Sequence, residues 1–111
     1  MDEGLIAVES PEALSALGLC DSSLLEVRWI EAGRDMEIAL HRASAPPIRL
    51  VCSWAHELDL RFASASGHGG SPLMWEAALS VRASGLRLQL DFAGSGSLAV
   101  SCSQLHYGPL A

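Results

Sequence analysis

The sequence predicts a mainly β protein: about seven antiparallel strands in a sandwich or half-open barrel, with one short N-terminal helix. Three observations carry that expectation. Apolar residues recur at every second position over most of residues 24–103, as expected of strands with one buried face. Short Gly- or Pro-bearing breaks separate these runs, so neighbouring strands pair antiparallel. With 111 residues, half of them apolar and 18% charged, the chain suits a single domain able to bury a core without metal or disulfide. The expected organisation is one domain over 1–111: an N-terminal segment 1–9, a short helix 10–18, a β core 24–103 and a frayed tail 104–111.

Ser10-Pro11-Glu12 reads as a helix start. Serine caps an orphan N–H, proline suits the first helical position, and Glu12 meets the positive end of the helix dipole. Gly18 supplies the left-handed residue that ends many helices. Leu14 and Leu17 share a face, and a helix this short must dock on something to persist.

The period then changes to two. Leu25, Val27 and Trp29 alternate with Glu26 and Arg28; Met36, Ile38 and Leu40 alternate with Glu37, Ala39 and His41. Glu31-Ala32-Gly33-Arg34-Asp35 between them reads as a hairpin turn. Ala45-Pro46-Pro47 breaks the sheet pattern. From Ile48 to Phe62 the even positions are apolar except His56. Strands longer than ten residues are uncommon, so two strands meeting near Ala55-His56 are expected. Residues 63–72, ASASGHGGSP, read as a flexible loop. Further strands follow from Leu73 to Val81, Leu86 to Phe92 and Leu98 to Cys102, turned by Ala83-Ser84-Gly85 and Gly94-Ser95-Gly96.

Charge narrows the function classes. All seven basic residues are arginine, which excludes Schiff-base chemistry, a lysine base and a P-loop. The formal charge is -6, and residues 1–37 carry nine acids against Arg28 and Arg34. That field repels a phosphate backbone, so no nucleic-acid partner is expected; it suits a basic partner protein. Glu26, Glu31, Asp35 and Glu37, with His68 in the glycine-rich loop, are the candidate contact residues. The acidic start and its five-residue apolar run do not resemble a secretory signal, and no run of about 18 apolar residues suggests a membrane span. A cytoplasmic protein is the expectation.

No catalytic, metal or cofactor site is expected. His68-Gly69-Gly70 resembles an esterase oxyanion loop, but no G-x-S-x-G accompanies it. His41, His56, His68 and His106 share no ligand spacing. Cys20, Cys52 and Cys102 are odd in number and widely spaced, which argues against a disulfide framework; Cys52 and Cys102 fall on apolar rows and read as buried hydrophobes. Glu57 and Asp59 lie on one polar face with Arg49 and Arg61, so ion pairing is the simpler reading of that acid pair. Trp29, Trp54 and Trp75 sit on apolar rows of three strands and are expected in the core.

The layout resembles the small β-rich immunity-type proteins of bacterial polymorphic toxin systems. The resemblance spans about residues 20–103. It rests on the short helix, the Asp21-Ser22 step, the early hairpin, the run from Ile48 to Cys52 on to Leu58–Phe62, and the closing stretch from Gly85 to Gly96. It implies a non-enzymatic protein that neutralises a cognate toxin by binding it, and carries over no contact residues. Two other readings stand beside it: a small β-barrel with an apolar or small-molecule ligand inside, and a structural protein that forms a homodimer through a sheet edge unguarded by lysine.

Overall fold

A computed structural model describes residues 4–42, 45–62, 74–92 and 96–110, with the side chains of Phe62, Met74 and Trp75 left out. The loop 63–72 with His68, and Ser95 with its neighbours, lie outside the described residues. The elements in chain order are β1 (Ile6–Ala7), α1 (Pro11–Ser15), β2 (Ser23–Ile30), β3 (Asp35–His41), β4 (Ile48–Ser53), β5 (His56–Phe62), β6 (Met74–Arg82), β7 (Gly85–Phe92), β8 (Gly96–Cys102) and β9 (Gln104–Pro109).

Two antiparallel sheets face each other, ordered β1-β9-β4-β3-β2 and β5-β8-β7-β6. Neither closes on itself, so the architecture is a sandwich. β4 packs over β8 and β9 over β7, which sets the alignment of the layers. Inner rows of Met36, Ile38 and Leu40 on β3, Leu50 and Cys52 on β4, Leu88 and Leu90 on β7, and Leu98, Val100 and Cys102 on β8 form the core. All are buried. Helix α1 packs on β6 and drives Leu14 into the same core. Its start follows the sequence signal: the Ser10 hydroxyl accepts the Ala13 N–H at 3.1 Å, with Pro11 in the first turn.

Four expectations are corrected. There are nine strands among the described residues, not about seven. The tail expected to fray is largely strand β9, seated between β4 and β1 with Leu105 buried. Leu105 and Tyr107 alternate with Gln104 and His106, and β4 pairs along the whole strand. The N-terminal segment contributes β1, paired with β9 through Ile6 and Ala7. The uniform β2 row also fails: a bulge between Leu24 and Glu26 turns Leu25 out and lets Leu24 pack on the core with Val27.

The outward placement of Trp29 and Trp54 is the fourth correction, while the core expectation for Trp75 falls on a side chain outside the described ones. Trp29 lies on the inner row of β2, but β2 is an edge strand and the side chain stays 47% exposed. Trp54 is in no strand. It occupies the break between β4 and β5, which run in different sheets, and is 62% exposed. No described helix is long and apolar enough to cross a membrane.

Candidate functional site

At the end of the sandwich where β2 turns into β3, two chain reversals lock together. The first is a 3-10 turn, Glu31–Gly33, in which Glu31 (φ 52°), Ala32 (φ 56°) and Gly33 (φ 90°) are all left-handed. Two consecutive non-glycine residues in that region are costly and persist only when surrounding bonds over-determine them. The second reversal is Trp54, also left-handed at φ 56°.

Asp35 joins them. Its carboxylate is buried, accepts Arg34 Nε at 2.9 Å and Nη2 at 2.8 Å, and also accepts the Trp54 backbone N–H at 3.1 Å. The Ala55 N–H donates to the Arg34 carbonyl at 2.9 Å, and Ser103 N–H donates to the Ser53 carbonyl at 2.9 Å. His56 Nδ1–H donates to the Trp54 carbonyl at 3.0 Å, which places the proton on that nitrogen. The Arg34 guanidinium stacks 5.2 Å from the centroid of the Trp54 ring. The result is a prebuilt platform: a solvent-facing indole and an arginine, with backbone fixed by a buried carboxylate.

The Arg34 guanidinium holds the Asp35 carboxyl below its ordinary value of 3.8; burial opposes this, and the Trp54 amide adds to the lowering. A depressed folded value means the ionised form supports the fold. That support is complete above about pH 4 and is lost as pH falls through the folded value. Asp35→Asn should therefore lower stability by roughly 1–2 kcal/mol at neutral pH. Urea unfolding of both chains should show the gap narrowing at pH 3; a constant gap across pH would contradict the assignment.

A second charged arrangement lies behind the turn, on the outer face of the larger sheet. Glu37 is buried between Arg28 and Arg49, from the two strands that flank β3. Arg28 Nη2 lies 3.0 Å from one carboxylate oxygen and Arg49 Nη1 3.1 Å from the other. Two surface clefts flank the platform. One of about 470 Å³ is lined by Arg34, Arg49, Val51, Ser53 and His106 among others. The other, about 490 Å³, runs beside Trp54 past Gly33 and His56.

The sequence candidates therefore separate. Glu31 is exposed in the turn, and Glu26 is exposed on β2, 3.7 Å from Arg28. Asp35 and Glu37 are buried and paired with arginines of the same chain, which leaves their charge largely neutralised. His68 lies outside the described residues. Asp59 pairs with Arg61 at 3.0 Å, whereas Glu57 lies 3.9 Å from His56 and Arg49 turns to Glu37 instead. Sequence reasoning missed Arg34 and Trp54. The available signal was Trp54's place at the strand break, where no inner row continues. Among the described residues no group of three His, Cys, Asp or Glu is placed to hold a metal ion.

No protein-family model matches the chain, and no curated protein matches it significantly.

Proposed function

We propose that the chain is a non-enzymatic, cytoplasmic protein-binding module whose contact surface centres on Trp54 and Arg34. One observation carries this reading: a large indole is held out in solvent, on left-handed backbone, by a buried carboxylate built for the purpose. Tryptophan and arginine are the side chains that most often anchor interfaces, and a prefixed turn reduces the ordering cost of association. The exposed Glu26 and Glu31 on the adjoining hairpin, within an acidic first third, favour a basic partner. A toxin neutralised by an immunity-type protein fits that description.

The test is capture by the immobilised full chain from the source cell, identification of the bound protein, and titration of the purified pair. Trp54→Ala should weaken binding about 30-fold or more, equivalent to roughly 2 kcal/mol. Equal affinity of the variant, or no specific partner at moderate salt, would refute the reading.

Leu25 and Trp29, half-exposed on the free edge strand β2, favour a second reading, self-association through that edge. Light scattering over a concentration series separates the two, since a protein that remains monomeric does not pair this way.

A further inference from the structure

Cys52 and Cys102 are buried on inner rows of different sheets, on β4 and β8, two strands that pack against each other. The two thiols are near enough for each to be the largest influence on the other's ionisation, Cys52 upward and Cys102 downward. One residue further along each chain, the Ser103 N–H and hydroxyl both donate to the Ser53 carbonyl, at 2.9 and 3.2 Å, drawing the two backbones together here. The odd cysteine of the three is Cys20, exposed and remote in sequence from this pair. Two neighbouring buried thiols on facing layers, beside backbones drawn together by the Ser103–Ser53 bonds, are candidates for a disulfide, and linking them closes a 50-residue loop that constrains the unfolded chain strongly.

We propose that Cys52 and Cys102 are a disulfide-forming pair that staples the two sheets, with a small-molecule disulfide such as oxidised glutathione as the oxidant. Cys102 is the first to react. It lines a small cleft of about 50 Å³ together with Arg82 and His56. The neighbouring Cys52 thiol pulls the Cys102 thiol below the ordinary range against the opposing effect of burial, while the same proximity pushes Cys52 up. The Cys102 thiolate attacks one sulfur of the small disulfide, forming a mixed disulfide and releasing one small thiolate. The Cys52 thiolate then attacks the Cys102 sulfur, closing the protein disulfide and releasing the second small thiol. The two cysteine protons end on the two small thiols, and the two electrons reduce the oxidant's S–S bond. This inference is independent of the docking reading, because it involves neither Trp54 nor a partner.

The experiment uses the full chain carrying Cys20→Ser, equilibrated with oxidised glutathione both in buffer and in moderate urea followed by dialysis. The urea arm removes burial as a kinetic barrier. Thiols are then counted under denaturing conditions, linked peptides are mapped, and melting is recorded. The expected result is loss of both thiols in the urea arm at least, a peptide joining Cys52 to Cys102, and a rise in Tm of roughly 10 °C that a reductant reverses. Adding Cys52→Ser should halt the reaction at the mixed disulfide on Cys102. Two free thiols after the urea arm, glutathione on both cysteines, or a linked form that melts below the reduced one would overturn the proposal.

Discussion

Glu37→Ala should destabilise the protein by about 3 kcal/mol, the largest effect expected of any charged residue described here. The carboxylate is buried on the central strand β3 with Arg28 on one side and Arg49 on the other. Removing it leaves two arginines facing each other across β3 without an anion. Arg49 suffers most: its side chain is only 25% exposed, and its Nε already has no hydrogen-bond partner among the described residues. Breaking a buried pair from one side typically costs 3–5 kcal/mol, and the half-exposed Arg28 places this case at about the lower bound. The melting temperature should fall by roughly 12–20 °C. Glu57→Ala, on an exposed side chain, should shift stability by less than about 0.5 kcal/mol and serves as the comparison. Similar losses from both variants would mean that the Arg28–Glu37–Arg49 bridge is not formed.

Leu105→Ala tests the part of the fold that the sequence pattern concealed. Leu105 is buried on β9, and its strand lies between β1 and β4 rather than trailing from the domain. Leucine-to-alanine changes at fully buried sites cost about 2.7–5 kcal/mol, so a loss of about 3 kcal/mol in urea unfolding is expected. A frayed tail would register almost nothing. Truncation before Gln104 should be more severe still, because β1 would lose the strand it pairs with and β4 would lose one of its two.

Legibility followed the physics of each element. The helix start was readable because Ser10 and Pro11 act locally, and the inner rows of β3, β4, β7 and β8 were readable because a central strand must alternate. A break near Ala55-His56 was readable from length alone, and it falls one residue earlier, at Trp54-Ala55. β9 was hidden by position: its four alternating residues end in Gly108-Pro109, which resemble a terminus more than a strand. The exposure of Trp29 depends on which strands form edges, and strand order is not encoded in period. The bulge at Leu25 moved a row by one residue, which no alternation rule anticipates. The candidate site was only half legible. Acidic residues on the β2–β3 hairpin stood out by charge, yet the burial of Asp35 and Glu37 arises from arginines that approach from neighbouring residues and strands. Arg34 and Trp54 are twenty residues apart in sequence and meet because Asp35 binds the Trp54 amide and the Ala55 N–H binds the Arg34 carbonyl.

Hydrogen exchange at Trp54, followed by NMR on both of its N–H groups, probes the platform most directly. The backbone amide, bonded to buried Asp35, should exchange slowly, and the indole N–H of the same residue should exchange near the rate of a free tryptophan. A protected indole would return Trp54 to the core, and an amide exchanging as fast as in an unfolded peptide would dissolve the turn on which the contact surface is built.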